Sequence, residues 1–528
     1  MSYRPISFLS PVARTLEALL LPQLTHHLPA ARHQHGFRKM HSTTTALTAI
    51  TTQIAHGLNQ QRPCERTVLV ALDLSKAFDT VSHTILFQDI LQSSMPNNLK
   101  RWIVNYLSGR ESFVEFRDKR SKPRRVKQGV PQGGVLSPLL FNFYLSKLPA
   151  PPQGVDVISY ADDCTIMATG HNVDDLCGLV NGYLSEIHNF FTSRNLSLSP
   201  AKSTATLFTT WTKEVKTNLG IVVDGAQIPT VNHPKILGVT LDSLFTSSAH
   251  ATAITHKLRS RNKVLKALAG STWGMDKETL LATYKTIGRS VVNYAAPVWS
   301  PSLSDTQWRN IQSCQNAALR TVTGCLQISS PHHLHEETKV LPVKEHNIML
   351  SKQFLLGCHQ RCHPNYNITQ LETPPRHVRK DLRIYEESIR NYVQDPLDRS
   401  SYMAALNDIH RDATNSAVAS YRMNVVLGGR PPPIAEEEKN LPRTTRVVLA
   451  QLRSGWSNRL NSYWSRIDRA VPNSCPACGQ SPHDTNHIFI CPANPTSLGP
   501  MDLWTHPIEV ARFLGLDLPD EPQEEEHN

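Results

Sequence analysis

The chain has 528 residues, which is too long for one compact core and predicts three or four domains of about 100–200 residues each. Hydrophobic residues make up 40% of it and charged residues 19%, a composition that excludes a collagen-like or wholly disordered chain. Lys and Arg number 55 against 44 Asp and Glu, a net charge of +11, which is compatible with a polyanionic partner and equally with a basic, solvated surface.

Cysteine content and hydropathy bear on the cellular setting. Ten cysteines are too few for the disulfide framework of a small secreted domain, so we expect a reducing, intracellular compartment. The apolar run at 16–24 contains Glu17, Pro22 and Gln23 and has no cleavage pattern after it, unlike a signal peptide. Nowhere do about 20 apolar residues run together, so no membrane-spanning helix is predicted.

The first half of the chain alternates strand and helix patterns, which predicts an α+β fold. Apolar stretches bounded by turn or acidic residues predict strands, and apolar residues recurring every three or four positions predict helices. The predicted strands are 67–74, 157–160, 164–168 and 204–209. The predicted helices are 82–91, 98–107, 137–148 and 174–194.

The second half lacks a clear strand pattern until its end. Amphipathic patterns at 256–268, 277–292 and 305–322 predict a helical domain. The run of Gly and Pro at 428–433, followed by three glutamates, favours a poorly ordered linker with short helices. A last compact piece is expected from Leu441, followed by an acidic tail that ends the chain.

Two acidic positions interrupt apolar patterns that should otherwise exclude charge. Asp73 ends the strand pattern at 67–74, and Asp162 and Asp163 lie between two apolar arms, which predicts a hairpin with two carboxylates at its turn. Carboxylates at such places are commonly exposed, helix-capping or ordinary turn residues. If the strands bring Asp73 beside Asp162, however, the like charges need a cation, and oxygen ligands suit Mg²⁺.

Several motifs occur in an order that resembles reverse transcriptases, most closely those of non-LTR (LINE-type) retrotransposons. Motifs A, B and C are matched by Asp73-Leu74-Ser75-Lys76-Ala77-Phe78-Asp79, Gly129-Val130-Pro131-Gln132-Gly133-Gly134-Val135-Leu136-Ser137-Pro138 and Tyr160-Ala161-Asp162-Asp163. Further matches are Tyr3-Arg4-Pro5-Ile6-Ser7, Gln34-His35-Gly36-Phe37-Arg38 with Ser42-Thr43, Asn195-Leu196-Ser197-Leu198 with Lys202-Ser203, and Lys235-Ile236-Leu237-Gly238-Val239. The resemblance covers about residues 1–245 by motif and continues to about 360 by helical character.

The resemblance implies an RNA-directed DNA polymerase with a right-hand fold. Such an enzyme extends a primer 3′-hydroxyl with deoxynucleotides on an RNA template, using two Mg²⁺ ions. The implied domains are partial fingers at 1–60, a palm with motifs A to E at 61–246, a helical thumb at 247–365, a linker at 366–440, a zinc-knuckle region at 441–500 and a tail at 501–528. The implied partners are template RNA, a DNA primer or target and deoxynucleoside triphosphates, in the nucleus and in a cytoplasmic ribonucleoprotein.

The same resemblance implies a metal-binding role for three carboxylates. Asp73 and Asp162 would be the Mg²⁺ ligands, Asp163 would be the third acidic member, and the backbone carbonyl of Leu74 would be a further ligand. Residues 235–242 would form the primer grip, a hairpin that presses the primer end toward the carboxylates.

Four other residues would act on the nucleotide. Arg38 would pair with the incoming triphosphate, and Phe78 would exclude a ribose 2′-hydroxyl. Gln132 would lie near the sugar and base, and Lys202 would protonate the leaving pyrophosphate. Without the resemblance, Phe78 is equally a core residue and Gln132 part of a plain turn. Arg38 and Lys202 are then solvated surface residues.

An independent motif lies near the end of the chain. Cys475, Cys478, His487 and Cys491 offer three thiolates and one imidazole within 17 residues, which is sufficient for a tetrahedral zinc site. Free buried cysteines are the alternative, and His483 is expected not to be a ligand. A similar CCHC knuckle is found in many non-LTR elements. Four arginines are expected to place cationic charge beside it for phosphate contacts: Arg453, Arg459, Arg466 and Arg469.

The extent of the resemblance predicts an incomplete enzyme. Because the first match begins at Tyr3, inside the fingers, we expect a partial open reading frame without the earlier fingers segments, an upstream endonuclease or a ribonuclease H motif. One alternative is a catalytically inactive remnant that still binds nucleic acid. A second is a group II intron-type maturase, which shares motifs A to C but is expected to end in a different module.

Overall fold

The computed structural model describes residues 6–270, 273–372, 379–394 and 397–518. The described residues form two compact units. One unit takes its residues from 1–250, 297–302 and 354–397, and the other takes them from 251–296, 303–353 and 398–528. Among the described residues, no helix combines the length and the apolar character that crossing a membrane requires. The matched residues 3–5 and the acidic tail at 520–528 lie outside the described part of the chain.

The strands, in chain order, are β1 (Arg66–Leu72), β2 (Leu74–Ser75), β3 (Glu111–Ser112), β4 (Glu115–Phe116), β5 (Lys119–Arg120), β6 (Arg124–Arg125), β7 (Val155–Tyr160), β8 (Asp163–Gly170), β9 (Ser197–Leu198), β10 (Thr204–Phe208), β11 (Val222–Val223), β12 (Ala226–Gln227), β13 (Lys235–Ile236) and β14 (Val239–Thr240).

The helices are α1 (Pro11–His27), α2 (Thr43–Leu58), α3 (Ala77–Thr80), α4 (His83–Gln92), α5 (Asn97–Leu107), α6 (Ser137–Tyr144), α7 (Val173–Ser193), α8 (Ser248–Ala267), α9 (Lys277–Thr283), α10 (Ser290–Asn293), α11 (Ala296–Trp299), α12 (Asp305–Thr323), α13 (Pro331–Thr338), α14 (Val343–Cys358), α15 (Glu386–Ile389), α16 (Arg399–Ser420), α17 (Arg443–Arg453), α18 (Asn461–Ile467), α19 (Thr485–Ile490), α20 (Asp502–Thr505) and α21 (Pro507–Phe513). Short 3-10 or π segments are Thr212–Lys216, Tyr284–Arg289, Ser300–Ser302, Tyr366–Gln370, Leu382–Tyr385, Arg390–Tyr392 and Glu436–Asn440.

The first unit is built on an antiparallel sheet with strand order β10-β1-β8-β7. Side chains alternate between the two faces of a strand, so Val68 and Val70 of β1 join the core that contains α6 and α7. Leu69, which is also fully buried, points to the opposite face, and α2 packs against β1, β7 and β8. The predicted α+β fold is therefore confirmed, with the sheet covered by helices on both faces.

The second unit is helical, as predicted for its first part. One core cluster joins α9, α12 and α13 through residues such as Leu280, Leu319 and Leu334. A second cluster contains Leu449 and Leu452 of α17 together with residues near the end of the described chain.

Two regions of the chain differ from the sequence prediction. The segment at 366–440 was expected to be a linker with short helices, but it contains the 22-residue helix α16, which buries Ala405, Ile409 and Ala417. The tail expected from residue 501 instead forms α20 and α21, and Trp504 and Val510 of these helices belong to the same core as Leu449. Small and polar residues weakened the periodic apolar pattern that predicts a helix in these two regions, although the helices there bury apolar residues.

Candidate functional site

Asp73 and Asp162 lie where two neighbouring strands reach the same end of the sheet. Leu72, the last residue of β1, pairs with Cys164 of β8, so Asp73 follows directly beside the start of β8. Asp162 lies in the turn that joins β7 to β8, one residue before β8 begins at Asp163. The antiparallel register thus brings together two carboxylates that are 89 positions apart in the printed sequence.

A cleft of about 960 Å³ opens at this end of the sheet. Both Asp73 and Asp162 line it, together with the turn before α6 and the short helix α3. The other residues that line it are Phe37, Leu74, Ser75, Lys76, Ala77, Phe78, Asp79, Thr80, Gln128, Gln132, Gly133, Gly134, Ser137, Pro138 and Lys202. The cleft therefore collects motifs A, B and C and the lysine that follows them.

Gln34 holds the turn that carries Asp162. Its side chain is buried, with 2% of its surface exposed. Its Oε1 accepts hydrogen bonds from the backbone N–H groups of Ala161 (2.8 Å) and Gly36 (2.7 Å), and its Nε2 donates to the Ala161 carbonyl (3.1 Å). Ala161 has a φ of 56°, a left-handed conformation that costs energy for a residue with a Cβ. Gln34 belongs to one of the matched motifs, but its contact with this turn could not be predicted from the sequence.

Gly36 allows this contact to form. A Cβ at position 36 would lie 2.3 Å from the backbone nitrogen of Ala161, so any other residue would push the two segments apart. His35, between them, donates its backbone N–H to the Ser159 carbonyl at 2.7 Å. The loop at 34–36 is thus tied to the last residues of β7 and to the turn.

Phe78 lies between the cleft and the core. Its ring is stacked on that of Phe141 in α6, with centroids 4.3 Å apart, and it meets Phe37 edge to face at 6.2 Å. Because Phe78 also lines the cleft, both sequence interpretations, core residue and cleft residue, describe part of its surroundings. Phe37, which is 56% exposed, is a further aromatic residue of the cleft to which the sequence analysis gave no role.

Gln132 is held by the residue that ends motif A. Its Nε2 donates to Asp79 Oδ1 at 2.8 Å, which fixes the amide at the wall of the cleft. The backbones also approach closely, since a Cβ at Gly129 would lie 2.8 Å from the Asp79 carbonyl oxygen and Gly129 has a φ of 87°.

Lys202 lies over Asp73. Its Nζ is 3.8 Å from Asp73 Oδ2, and the two side chains are 66% and 40% exposed. Ser203 Oγ accepts a hydrogen bond from the Asp73 N–H at 3.1 Å, and the Ser199 N–H donates to the Asp73 carbonyl at 2.9 Å. Exposed ion pairs are weak, so the serine contacts rather than Lys202 fix the backbone of Asp73.

The structure places Leu74 and Asp163 differently with respect to the cleft. Leu74 lines it and pairs with Leu198 of β9. Asp163 is exposed and is not among the described residues that line the cleft. Its role as a metal ligand stays a prediction.

Arg38 turns toward its own loop in the structure, and its pairing with a triphosphate stays a prediction. Its Nη1 donates to the carbonyls of Gln34 at 2.9 Å and Ala31 at 3.1 Å, and burial lowers the pKa of its guanidinium. Arg38 is not among the described residues that line the cleft. A motif identifies the residue but not the direction of a long side chain, which here turns back to satisfy the carbonyls of its own loop.

Glu17 supports motif B and was missed by sequence analysis. Its side chain is buried, and Oε2 accepts hydrogen bonds from the backbone N–H groups of Val135 (2.6 Å) and Leu136 (3.1 Å) at the start of α6. Oε1 accepts from the Tyr106 hydroxyl at 2.9 Å. A carboxylate is favourable at a helix N-terminus. An acidic residue within the apolar run at 16–24 was the available signal.

The predicted primer-grip segment is a hairpin. β13 pairs with β14, and the turn between them has positive φ at Leu237 (43°) and Gly238 (84°). The hairpin is confirmed, and its contact with a primer stays a prediction.

The predicted cysteine and histidine ligands converge. The ligand atoms of Cys475, Cys478, His487 and Cys491 all lie within 4.8 Å of one another. The Sγ atoms of Cys475 and Cys491 are 3.8 Å apart, and Cys478 Sγ is 3.3 Å from His487 Nε2. Zinc–sulfur bonds of about 2.3 Å in a tetrahedron separate two sulfurs by about 3.8 Å, so the donor set fits such an ion. Within the described ranges, this is the only group of three or more such residues found to converge.

Local structure preorganises this cluster. Backbone hydrogen bonds, first that from Cys478, lower the pKa of Cys475 to about 6, which favours the thiolate form that binds metals. Asp484 caps α19 by accepting from the His487 N–H at 2.9 Å. His483 Nδ1 accepts from the backbone N–H of Asn461 at 3.0 Å, and His483 is not part of the converging group.

One of the four predicted cationic residues does not face solvent. Arg453 has no exposed side-chain surface and is paired with Glu337 (2.7 Å) and Glu438 (2.5 Å). It is therefore not available for phosphate contacts, unlike Arg459 and Arg466, which are exposed. The helical pattern of α17 did not reveal this burial because arginine is usually exposed.

Comparisons with known proteins agree with the motifs in the cleft. Residues 1–241 match the family model of reverse transcriptase (RNA-dependent DNA polymerase). This match, which covers slightly less than half of the chain, supports the predicted polymerase fold for residues 1–241. The division into fingers, palm and thumb stays a prediction.

Relatives named for mobile elements narrow the assignment. Two relatives from Drosophila melanogaster are the probable RNA-directed DNA polymerases from transposon BS and from transposon X-element. Each is 28% identical to this chain, over an alignment that covers 65% of the chain. That from mobile element jockey of Drosophila funebris is 25% identical over 76% of the chain and 44% of its own length. These names confirm the resemblance to non-LTR retrotransposon enzymes. The chain spans 38% of the length of the first two relatives.

Solved structures are more distant. Apo telomerase from Candida Tropicalis aligns with 68% of this chain and 60% of its own, at 11% identity and a TM-score of 0.35. This value is too low to support a conclusion.

Proposed function

We propose that the chain is the polymerase part of a non-LTR retrotransposon protein and extends a primer 3′-hydroxyl with deoxynucleotides on an RNA template. The observation that carries this proposal is the convergence of Asp73 and Asp162 on one cleft. The aromatic residue Phe78 and the amide of Gln132 line the same cleft, so groups suited to a sugar and a base stand beside groups suited to a metal–phosphate complex.

The donor set of the cleft fits Mg²⁺. Asp73 and Asp162 supply hard carboxylate oxygens, and the Leu74 carbonyl is a further candidate ligand beside them. When bound, two Mg²⁺ ions would activate the primer hydroxyl and stabilise charge on the α-phosphate and the leaving pyrophosphate.

The chain's own residues would then orient the substrates. The Phe78 ring, fixed by stacking on Phe141, would oppose a ribose 2′-hydroxyl. Lys202, whose Nζ lies 3.8 Å from an Asp73 oxygen, would hold a proton at the mouth of the cleft and donate it to pyrophosphate. Serine contacts to the backbone of Asp73 would keep its carboxylate in place.

Primer extension on poly(rA) with an oligo(dT) primer, Mg²⁺ and dTTP tests the proposal. Asp162→Asn removes a charge at constant size and should abolish extension, while nucleic-acid binding persists. Asp224→Asn, at a side chain that is 77% exposed, is the matched control and should extend normally. An inactive wild-type chain that still binds RNA would instead support the inactive remnant, and equal activity of both variants would remove Asp162 from the site.

We also propose that the Cys/His cluster binds Zn²⁺ and stabilises the fold around it. Structural zinc sites close all four positions with protein ligands, and binding energy becomes folding energy because the unfolded chain lacks the site. Zinc content of the full chain by mass spectrometry should be one ion, lost in Cys491→Ser. It should be retained in Cys362→Ser, since Cys362 is an exposed cysteine outside the cluster. No bound zinc in the wild type would refute the site.

The partners follow from the same proposal. Template RNA, a DNA primer or target and deoxynucleoside triphosphates would be bound by an intracellular protein in the nucleus and in a cytoplasmic ribonucleoprotein. Crosslinking of the tagged chain in both cell fractions, followed by sequencing of bound RNA, tests this. Recovery of no RNA from either fraction would contradict it.

A further inference from the structure

A basic ribbon, residues 110–127, projects between α5 and motif B. Its two nested strand pairs are β3 with β6, where Glu111 pairs with Arg125, and β4 with β5, where Phe116 pairs with Lys119. The Arg110 carbonyl accepts from the Val126 N–H at 2.9 Å and closes the base. All residues from 111 to 125 are exposed, so the ribbon contributes nothing to the core of its unit.

The ribbon concentrates positive charge. Its 18 residues include eight basic side chains and three acidic ones, an excess of five in a chain whose net charge is +11. The two strand pairs are supplemented by hydrogen bonds between Val114 and Ser121 and by an exposed ion pair of Arg120 with Glu115 at 3.2 Å. Like charges that face one another on a hairpin are destabilising, so folding gains little from the remaining basic side chains. The basic residues are Arg110, Arg117, Lys119, Arg120, Lys122, Arg124, Arg125 and Lys127.

Large apolar side chains stand among these charges. Phe113 is 46% exposed and Phe116 is 70% exposed. The guanidinium of Arg120 lies 4.6 Å from the centroid of the Phe113 ring, and that of Arg117 lies 5.3 Å from the Phe116 ring. Exposed rings interleaved with arginines are the pattern that binds single-stranded nucleic acid, because rings stack on unpaired bases while cations contact phosphates.

The base of the ribbon lies at the cleft. Gln128, directly after the ribbon, lines the cleft, and Gly129 and Val130 are hydrogen-bonded to Val81 and Phe78. Along the shorter arm, from Arg110 at the base to the turn at Arg117, which has a φ of 53°, a strand rise of about 3.3 Å per residue gives a reach of roughly 20 Å. The exposed surface is thus continuous with the wall of the cleft.

We propose that the basic ribbon binds single-stranded template RNA outside the cleft, with Phe113 and Phe116 stacking on bases and the ribbon's arginines and lysines contacting phosphates. The identity of the strand rests on the proposed function, in which the unpaired nucleic acid near the cleft is the template. Duplex RNA is a weaker fit, since its bases are already stacked on one another.

Binding by the full chain tests the ribbon without catalysis. The probe is fluorescent oligo(U) of about 20 nucleotides, longer than the reach of the ribbon. Phe113→Ala with Phe116→Ala should weaken binding about 30-fold or more, as expected for the loss of two stacked bases. It should change the affinity for an RNA duplex much less. Arg124→Gln with Arg125→Gln should make the slope of log affinity against log salt shallower by about 1.4, which corresponds to two phosphate contacts.

The matched control is Lys213→Gln with Lys216→Gln, which removes two exposed charges elsewhere in the same unit and should change neither the affinity nor the slope by comparable amounts. Thermal unfolding should be equal in all variants because every substituted side chain is exposed. Primer extension then separates the two proposals, since ribbon variants should lose more activity on a long template overhang than on one of a single nucleotide. Oligo(U) binding by wild type without any extension would count against the proposed function alone.

Three results would overturn the ribbon proposal. The first is unchanged oligo(U) binding by both ribbon variants. The second is an equal loss for duplex and oligo(U), which would leave only general electrostatic attraction. The third is ribbon-dependent binding to phosphatidylserine vesicles with no effect on RNA, which would make the ribbon a membrane-binding surface.

Discussion

Replacing Gln34 with Met should lower the rate of primer extension more than it lowers stability. The side chain keeps its size, but three backbone groups lose their partners: the N–H and carbonyl of Ala161 and the N–H of Gly36. A buried group left without its partner costs about 1–3 kcal/mol, so three cost about 3–9 kcal/mol, and a turn that relaxes toward water brings the loss to the lower end of this range. About 3 kcal/mol is less than the roughly 5–15 kcal/mol stability of a typical domain, so the chain should remain folded.

The turn would relax instead of the whole domain. Ala161 is held at a φ of 56°, and without Gln34 it should return to a more favourable conformation and move Asp162. A displacement of about 1 Å can reduce a rate about 100-fold, so single-turnover extension should slow by at least about tenfold, with little change in KM for dTTP. Gln34→Glu, which keeps two acceptor contacts but cannot donate to the Ala161 carbonyl, should be intermediate.

Gln315 provides the control for this experiment. It is 1% exposed and lies in the helical unit. Its Oε1 accepts from the Tyr284 hydroxyl at 2.8 Å and from the Arg289 guanidinium, and its Nε2 donates to the Leu341 carbonyl at 3.0 Å. Gln315→Met should therefore lose comparable stability, measured by urea unfolding, and keep its extension rate per folded molecule. If Gln34→Met behaves in the same way, the position of Asp162 does not depend on Gln34.

Three further predictions concern the same unit. Phe78→Ala should lower the preference for deoxynucleotides over ribonucleotides roughly tenfold or more, and equal preference in both proteins would leave Phe78 as a core residue only. Glu17→Gln removes the carboxylate that holds motif B and should destabilise the unit by about 2 kcal/mol in urea, whereas an unchanged midpoint would contradict that role. Although burial opposes its ionisation, hydrogen bonds from Arg194 and Lys147 lower the pKa of Asp89. The stability that these two ion pairs contribute should therefore be present above about pH 4 and lost as the pH falls further. Asp89→Asn should flatten that acid limb of the unfolding profile, and an unaltered limb would refute the assignment.

Sequence patterns were sufficient to predict strands, which depend on local alternation of apolar residues, and to predict a site that long motifs define. Alternating apolar residues predicted β1 and β8, and the motifs predicted that Asp73 and Asp162 would share a site. They could not reveal the contact of Gln34 with Ala161, because 127 positions separate the two residues and an amide in a loop has many possible partners. The contacts of Arg38 with the carbonyls of Ala31 and Gln34 could not be read from the sequence for the same reason, since these partners are fixed only when the loop folds.

The burial of Arg453 changes how the Cys/His cluster must be studied. From sequence, residues from Leu441 onward form a separate module, but the Arg453 guanidinium is bound by Glu337 and Glu438, both outside that segment. Removing a partner from a buried ion pair costs about 3–5 kcal/mol, which is comparable to what the core of a segment of fewer than about 80 residues supplies. Arg446 likewise pairs with Glu278.

A fragment of residues 441–518 should therefore fail to unfold cooperatively even with zinc bound. Thr485, at the start of the helix that carries His487, donates its hydroxyl to the Leu452 carbonyl at 3.1 Å, so loosening of α17 reaches the cluster directly. Zinc would still bind to the cysteines, but urea unfolding of the fragment should be broad, whereas the same helices in the full chain should unfold in a sharp transition. Adding Arg453→Met to the short fragment should partly restore cooperativity, since it removes the unpaired charge. A sharp transition in the unmodified short fragment would show that the ion pairs join two modules that fold independently.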